Sequence, residues 1–338
     1  MRPPIQGPTC HSRRYSRRAS SARRGLRALV VTTSFVIPAY NEGARLEEGF
    51  ARFAPTLEQL GHDDVEIIIV DDGSSDDTLR QAQRVYGHLA HLRVVKHDTN
   101  LGKGAALRLG IALANGVNVI TADADMAIHP YHATAIIDAL ARVDLAPGTR
   151  AIDGHIRYDQ RLRTWAGALF NRLARHYTGT YLRDTQCGFK GFRLASARLL
   201  ALLSLVEGFA FDLEVLYLAD CLALSVEPQL VTWDDVRGSS VSVGRDSWQM
   251  LKDMRALSST RYENPVVVLP ATIELDAVRQ AARDARLRGL VLARGAKDAV
   301  VVTSRQGALG AIDLARTFDA PIATTSLRDL RGRHLDAL

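Results

Sequence analysis

Two aspartates, Asp123 and Asp125, stand directly after a short apolar run, and their type and spacing could support metal chemistry. In an extended turn, residues i and i+2 project to the same side, so both carboxylates can reach one cation. Mg²⁺ and Mn²⁺ take oxygen ligands and commonly complete their shells with phosphate oxygens. A D-x-D pair alone occurs by chance in many chains. Because this pair follows the run at residues 117–122, we predict a site for Mg²⁺ or Mn²⁺ at Asp123 and Asp125.

Polar residues also follow two earlier apolar runs. The run at 34–38 leads into P-A-Y-N-E at residues 38–42, and the run at 65–70 leads into D-D-G-S-S-D at residues 71–76. In open parallel sheets the ligand lies beyond the carboxyl ends of the strands. Acidic side chains gathered there repel one another unless a cation or donor groups neutralise them. The sequence therefore predicts that all three polar segments meet at one ligand-binding edge.

An alternation of short strands and amphipathic helices must position these segments. The predicted strands are 34–38, 65–70, 92–96 and 117–122, and the predicted helices are 44–60, a helix ending near 86, 103–114 and 130–143. Ser75 or Asp76 is the expected cap of the second helix. The β-branched run at 65–70 is typical of a strand that is buried on both faces. The alternation predicts an α/β fold with a mostly parallel sheet and helices on both of its faces.

The C-terminal residues 264–338 repeat this alternation on a smaller scale. Strands are predicted at 266–269, 290–293, 300–303 and 322–325, and helices at 275–287 and 309–317. We therefore predict three parts: a basic tail at 1–30, a catalytic α/β domain at 31–260, and a small α/β unit at 264–338. The sequence assigns no role to the third part.

The net charge of +6 is concentrated at the amino terminus, because residues 1–27 hold eight arginines and no acidic residue. This segment has almost no large apolar side chains, so we expect it to be disordered. The rest of the chain is slightly acidic, which argues against a nucleic-acid-binding domain. No apolar run reaches the roughly 18 residues that a membrane-spanning helix needs. Three widely spaced cysteines argue against a disulfide framework and favour the cytoplasm.

Several other enzyme classes lack their motifs here. The chain contains no G-x-x-x-x-G-K-[ST], no H-E-x-x-H and no G-x-S-x-G, which excludes P-loop kinases, zincins and α/β-hydrolases. The segment N-L-G-K-G at 100–104 lacks the third glycine of a dinucleotide fingerprint and does not follow the first strand, which argues against a dehydrogenase. A sugar-nucleotide pyrophosphorylase would need a glycine-rich basic loop after residues 35–38, and that loop is absent.

Four ordered motifs together resemble family 2 glycosyltransferases of the GT-A fold. They are F-V-I-P-A-Y-N-E (35–42), V-D-D-G-S-S-D-D-T (70–78), N-L-G-K-G-A-A-L (100–107) and A-D-A-D (122–125). Three later segments resemble the dolichyl-phosphate glucosyltransferase branch more than the mannose synthases. They are D-T-Q-C-G-F-K-G-F (184–192), G-F-A-F-D-L-E-V-L-Y-L-A (208–219), and V-R-G-S-S-V (236–241) with S-W-Q-M-L-K-D (247–253). The resemblance covers roughly residues 33–258.

The resemblance implies a role for individual residues. Positions matching the family's nucleotide-sugar site are Pro38, Tyr40, Glu42, Val70, Asp72, Lys103, Asp123, Ala124, Asp125 and Arg237. Asp123 and Asp125 match the motif that binds metal and diphosphate, and we expect Asp125 and Asp184 to be the catalytic carboxylates. Asp184 would orient the acceptor or serve as a base. The mannose synthases usually place a glutamine ligand where this chain has Ala127, and His129 is the candidate substitute.

A basic segment at residues 157–193 is the predicted acceptor site. It carries eight basic residues against two acidic ones, and apolar and aromatic side chains recur within it at helical spacing. Such a helix can pack on a core as an ordinary surface helix or lie in a membrane interface. Together with the resemblance, this composition leads us to expect that the segment holds a polyprenyl or dolichyl phosphate. The protein would then be peripherally associated with the cytoplasmic face of the membrane. The expected phosphate ligands are Arg157, Arg161, Arg163, Arg172 and Arg175.

The expected activity is therefore metal-dependent inverting transfer of a hexose, with glucose and UDP favoured, to a polyprenyl phosphate. Two alternatives keep the enzyme class: a mannose synthase that uses GDP-mannose, and a family 2 transferase that acts on a soluble glycan. A non-catalytic sugar-nucleotide binder is a further alternative. It would be expected to have lost part of the acidic set, yet Asp72, Asp123 and Asp125 are all present.

Overall fold

The larger of two main sheets has seven strands in a computed structural model, which describes residues 31–152, 155–156, 172, 182, 184–234, 245–257, 262–303 and 308–338. Its first four strands are β1 (Thr33–Ala39), β2 (Val65–Asp71), β3 (Leu92–Lys96) and β4 (Asn118–Thr121). Strand β1 pairs in parallel with both β2 and β4, and β2 pairs in parallel with β3. The carboxyl ends of β1, β2 and β4 therefore lie side by side.

The same sheet continues into a mixed half. The additional strands are β5 (Leu145–Thr149), β8 (Lys190–Arg193) and β9 (Gln229–Leu230), while β6 (Ala151–Ile152) and β7 (His155–Ile156) form a separate two-stranded pair. The strand order is β3-β2-β1-β4-β8-β5-β9. Strand β8 runs antiparallel to both β4 and β5, and β9 runs parallel to β5, so β8 alone among the seven strands opposes the direction of the others.

Helices cover both faces of this sheet because its strands are apolar on both sides. The helices are α1 (Leu46–Leu60), α2 (Thr78–Tyr86), α3 (Lys103–Leu113), α4 (Ala133–Leu140), α5 (Leu194–Leu203), α6 (Phe211–Cys221) and α7 (Arg245–Leu257). Phe35 of β1 packs in one core with Phe53 of α1, whereas Val36 belongs to the opposite core with Leu107 of α3. Alternate residues of one strand thus hold two helical layers.

The second sheet lies at the C-terminal end of the chain and is antiparallel throughout. Its strands are β10 (Glu263–Pro270), β11 (Val291–Arg294), β12 (Asp298–Val302), β13 (Ile322–Ser326) and β14 (His334–Ala337), and its helices are α8 (Leu275–Asp284), α9 (Ala308–Phe318) and α10 (Leu327–Leu330). The strand order is β13-β10-β12-β11-β14.

The two faces of the second sheet pack against different partners. Val267 and Val301 face a small core with Val278 of α8. Val266 and Val302 belong instead to the core that contains α5 and α6 of the first sheet. The second sheet therefore completes a core that begins in the first.

The predicted α/β class and mostly parallel sheet are confirmed, with local differences. Helix α2 begins at Thr78, and its N-cap residue is Asp77, whereas Ser75 or Asp76 was predicted. The Asp76 carboxylate nevertheless accepts a hydrogen bond from the Thr78 amide at 3.0 Å. The helix predicted at 130–143 is a short 3₁₀ turn, Pro130–His132, followed by α4. Strands β5 to β9 and β14 and helices α5 to α7 were not predicted.

Among the residues that the structure describes, no helix is both long and apolar enough to cross a membrane.

Candidate active site

The polar segments after β1 and β2 are joined by direct hydrogen bonds. The amide of Asn41 donates to the Ser74 hydroxyl at 2.9 Å, and the amide of Glu42 donates to the Thr78 hydroxyl at 2.8 Å. Asn41 has a positive φ of 54°, so the chain turns sharply as it leaves β1. The predicted convergence of these two strand ends is therefore present in the structure.

The residues expected around the nucleotide differ in their exposure. Tyr40 is an exposed aromatic residue at the edge, and Pro38 is half-buried just before it. Val70 is fully buried inside β2, so its side chain supports the sheet and does not face a ligand. Ala124 is also buried. Its carbonyl oxygen lies against Gly49 of α1, so position 49 has no room for a larger side chain.

Asp72 orders the neighbouring loop at residues 97–102. Its buried carboxylate accepts hydrogen bonds from the amides of Leu101 at 3.0 Å and Gly102 at 2.7 Å. The same carboxylate lies 2.7 Å from His97 Nδ1. Gly102 has a φ of 103°, a conformation that favours glycine, so this position suits the residue that the sequence provides. Both oxygens of Asp72 are engaged within the protein.

The D-x-D pair lies just beyond β4, with each carboxylate close to a cation. Asp123 Oδ1 lies 2.9 Å from Lys103 Nζ, and Asp125 Oδ2 lies 3.4 Å from Arg45 Nη1. Asp125 Oδ1 also accepts the Ala127 amide at 3.1 Å. Burial, together with the nearby Asp123 charge, raises the pKa of Asp125 above its ordinary value. These contacts neutralise only part of the negative charge of Asp123 and Asp125.

Glu42 adds a third carboxylate to this edge. One of its oxygens lies 2.5 Å from Arg45, whereas Oε2 is buried without a hydrogen-bond partner among the described residues. Burial raises the pKa of Glu42 to about 7 against the opposing charge of Arg45, and Asp125 and Asp123 raise it further. The strand ends thus gather more negative charge than their own donors neutralise.

This surplus of negative charge fits a divalent cation. Asp123 and Asp125 are the residues that would hold it, since hard cations prefer carboxylate oxygens and accept phosphate oxygens as further ligands. The described residues contain no group of three or more metal-ligating side chains. His129, the candidate third ligand, is engaged elsewhere, because its Nε2 lies 3.2 Å from Asp234 and its ring stacks on Tyr131.

Lys103 connects the D-x-D pair to a buried ion cluster that sequence reasoning missed. Its Nζ lies 3.0 Å from Asp212 Oδ2 on α6, and Asp212 Oδ1 lies 2.7 Å from Lys190 Nζ on β8. Burial alone would lower the pKa of Lys103, but the charges of Asp123 and Asp212 outweigh burial and raise this pKa above its ordinary value. A usable signal was the presence of two acids, Asp212 and Glu214, in the first turn of a largely apolar helix.

Asp184 is a buried carboxylate bound on both oxygens by Arg150. Arg150 donates to it from its amide at 2.9 Å, from Nε at 2.8 Å and from Nη2 at 2.9 Å. Burial alone would raise the pKa of Asp184, yet these bonds and the Arg150 charge hold it below its ordinary value. Asp184 Oδ1 also accepts the Gln186 amide at 3.3 Å, so Asp184 holds the backbone at the start of residues 184–188.

That segment runs directly beside the metal motif. A side chain at Gly188 would meet Asp123 Oδ2 at 2.5 Å, so any larger residue there would displace the Asp123 carboxylate. Cys187 is fully buried, and burial raises the pKa of its thiol to about 11, in agreement with a packing role.

Most of the predicted acceptor residues lie outside the described part of the chain. These are Arg157, Arg161, Arg163 and Arg175, and the donor-site candidate Arg237 lies outside it as well. Arg172 is described, and its side chain is exposed.

Comparison with known proteins identifies the family of this chain. The model for "Glycosyl transferase family 2" matches residues 34–200. A dolichyl-phosphate beta-glucosyltransferase of Mus musculus is 35% identical over 239 residues, covering 65% of this chain and 73% of the relative. That of Saccharomyces cerevisiae is 30% identical over 242 residues, covering 65% and 72%.

The fold has solved counterparts. Glucosyl-3-phosphoglycerate synthase of Mycobacterium tuberculosis, crystallised with Mg²⁺ and UDP, is 22% identical, with a TM-score of 0.51, and the match covers 71% of this chain and 82% of that one. This likeness confirms the predicted GT-A fold, and the curated relatives confirm the predicted family. The chain belongs to glycosyl transferase family 2 and is a hexosyltransferase.

Proposed function

We propose that this enzyme transfers glucose from a nucleotide-sugar, with UDP-glucose favoured, to the phosphate of a dolichyl or polyprenyl lipid, with inversion at the anomeric carbon. The observation that carries the proposal is the under-neutralised acidic edge at Asp123 and Asp125, in a chain that is similar over 239 residues to dolichyl-phosphate beta-glucosyltransferases. The named activity of those relatives supports both the sugar and the acceptor.

The donor would lie across the ends of β1, β2 and β4. Pro38, Tyr40 and Glu42 would line one side, and the loop ordered by Asp72 would line the other, with Lys103 facing the diphosphate. Ala124 and Arg237 complete the proposed donor set, while Val70, buried inside β2, supports the sheet beneath the donor. The UDP in the structurally similar synthase supports the choice of a uridine nucleotide.

Mg²⁺ or Mn²⁺ would be held by Asp123 and Asp125, together with diphosphate oxygens. When bound, the cation supplies charge that stabilises the leaving nucleoside diphosphate. Its use is supported by the Mg²⁺ and Mn²⁺ found with UDP in the similar synthase.

The acceptor chemistry needs little help from a base. A phosphate monoester has a second pKa of about 6, so its oxygen is already largely ionised near pH 7. Catalysis would then rest mainly on positioning. Since both oxygens of Asp184 are bound by Arg150, we assign Asp184 to orientation of residues 184–188 beside the acceptor, in place of proton transfer.

The lipid would approach through the basic segment at residues 157–193. Its arginines would bind the acceptor phosphate, and the apolar side chains Trp165 and Leu169 would enter the interface of the membrane. This arrangement would make the enzyme a peripheral protein of the cytoplasmic membrane face.

The decisive experiment incubates the protein with Mn²⁺ and a radiolabelled nucleotide-sugar, with and without dolichyl phosphate, and extracts lipid. We expect labelled lipid from UDP-glucose and much less from GDP-mannose. Label in lipid from GDP-mannose alone would identify a mannose synthase. Label that appears only in an added soluble glycan would contradict the lipid acceptor.

A matched pair of double variants tests the acceptor segment. Arg161→Gln with Arg163→Gln should raise the KM for dolichyl phosphate by about tenfold or more, because two charge-assisted hydrogen bonds are lost. The KM for the donor should not change. The control is Arg80→Gln with Arg84→Gln, two surface arginines of α2, which should leave both constants unchanged. An unchanged acceptor KM in the first variant would refute this binding site.

A further inference from the structure

Lys103 lies between two carboxylates that belong to different parts of the site. Its Nζ is 2.9 Å from Asp123 in the metal motif and 3.0 Å from Asp212 at the start of α6. The Asp123 side chain is 48% exposed, whereas that of Asp212 is only 4% exposed. The Lys103 ammonium group thus bridges an exposed carboxylate, Asp123, which a ligand can reach, and a buried carboxylate, Asp212.

Asp212 is itself held in place by a second lysine. Lys190 Nζ lies 2.7 Å from its other oxygen, and Lys190 also donates to the carbonyl oxygen of Cys187. Lys190 is almost completely buried, with a side-chain exposure of 1%. The cluster therefore contains two cations, Lys103 and Lys190, and two anions, Asp123 and Asp212, so its charges balance when no metal is bound.

The backbone around Lys103 is fixed. The amide of Gly104 donates to the Glu207 carbonyl oxygen at 2.6 Å, and a side chain at Gly102 would meet the same carbonyl oxygen at 2.4 Å. Because this contact holds the start of α3 against residue 207, we expect Lys103 to change partners by rotation of its side chain, and Asp212 is already within hydrogen-bond distance.

We propose that Lys103 serves as the resident cation of the metal motif, and that Asp212, anchored by Lys190, is the positioning residue that retains Lys103 when a divalent cation takes over Asp123. The inference rests on the proposed metal use. A divalent cation at Asp123 repels the Lys103 ammonium group. Because Asp212 remains beside Lys103, moving this ammonium group away from Asp123 costs less free energy. Without Asp212, Lys103 would compete for Asp123 at full strength.

The test measures Mn²⁺ binding to the full chain without nucleotide, by calorimetry or electron paramagnetic resonance. Lys103→Met removes the competitor and should bind Mn²⁺ about fivefold to tenfold more tightly than the wild type. This variant leaves the buried Asp212–Lys190 pair intact. Asp212→Asn should bind Mn²⁺ about tenfold more weakly, because Lys103 then has Asp123 as its only carboxylate partner in the cluster.

A third variant keeps the test decisive if Asp212→Asn does not fold. Lys190→Met leaves Asp212 to Lys103 alone, so Lys103 should move toward Asp212 and Mn²⁺ affinity should rise about twofold to fivefold. The matched control is Arg93→Met, which removes a cation 3.3 Å from the buried Glu66 at the opposite end of β2 and should leave Mn²⁺ affinity unchanged.

The outcomes separate this inference from the proposed function. Weaker or unchanged Mn²⁺ binding by Lys103→Met, in a protein whose melting temperature is retained, would overturn the inference alone. A wild type that binds no Mn²⁺ even with UDP would overturn the proposed metal use and the inference with it. Normal Mn²⁺ titrations without transfer to dolichyl phosphate would overturn only the proposed acceptor.

Discussion

Buried acidic groups lie at both ends of β2 and its neighbouring strands, and they differ in how completely they are hydrogen-bonded. At the amino end, Glu66 accepts hydrogen bonds from the Ser34 hydroxyl at 2.7 Å and from the Asn115 amide and side chain at 3.0 and 2.8 Å, and it pairs with Arg93. At the carboxyl end, Glu42 keeps a buried oxygen that has no partner among the described residues.

The difference shows how a structural carboxylate can be told from a functional one. Both groups are at the ends of parallel strands, and both are largely removed from water. Buried polar atoms are normally hydrogen-bonded, so a fully satisfied group such as Glu66 contributes to the fold. An incompletely satisfied cluster retains the capacity to bind a cation or a ligand with donors.

The largest effect is expected at the carboxyl end. Asp125→Asn removes one charged metal ligand, so transfer should fall by about two to three orders of magnitude. The melting temperature should stay close to that of the wild type, since Asp125 has few internal donors. Chelation of the wild type with EDTA should abolish transfer as well. Full activity in EDTA would remove the cation from the reaction.

The reverse pattern is expected at the amino end. Glu66→Gln leaves the half-buried Arg93 guanidinium without its anion and weakens the bonds from Ser34 and Asn115 to the buried Glu66 side chain, so the free energy of unfolding should fall by about 1–3 kcal/mol. The kcat/KM of the folded protein should equal that of the wild type. A loss of activity without a loss of stability would break the proposed division between the two ends.

Asp184 extends the comparison to pH. Arg150 holds the pKa of this carboxyl below its ordinary value, so the folded state binds its proton less readily than the unfolded state. The resulting stability is present above the unfolded pKa of about 3.9 and is lost as the pH falls through the lower, folded pKa. Denaturant titrations from pH 5 to pH 3 should show a smaller decline for Asp184→Asn than for the wild type. Equal declines would contradict this role.

The smallest effect is expected for an exposed pair. Arg84 lies 2.6 Å from Glu47, but both side chains are more than half exposed. Water screens such a pair, so Arg84→Ala should change the free energy of unfolding by at most about 0.5 kcal/mol. A larger loss in denaturant titrations would show that pairing distance, and not burial, decides which carboxylates stabilise the protein.

The sequence contained enough information for the parallel strands and for the D-x-D pair. Dense β-branched runs define β1 and β2 almost to the residue, and a carboxylate that follows such a strand must lie at the sheet edge. Strand β14 (H-L-D-A) has no such run and was missed. Its place depends on pairing with β11, which local sequence does not encode.

Contacts between distant residues were the part of the site that could not be predicted. Lys103 and Asp212 are 109 positions apart, and Arg150 and Asp184 are 34 apart, so no local spacing links them. Asp184 was predicted to orient the acceptor or serve as a base, and the guanidinium that binds both of its oxygens is visible only in the folded chain.

The core shared by the two sheets has a consequence for cooperativity. Val266 and Val302 close the apolar layer that also contains Leu199 of α5 and Leu213 of α6. Detachment of the C-terminal sheet would expose this layer to water, at a free-energy cost that grows with the apolar area uncovered. Helix α6 also carries Asp212, so the donor edge depends on a sheet whose described residues lie outside that edge. The two sheets are therefore coupled in unfolding, and the distant one sets a lower limit on how often the donor edge opens.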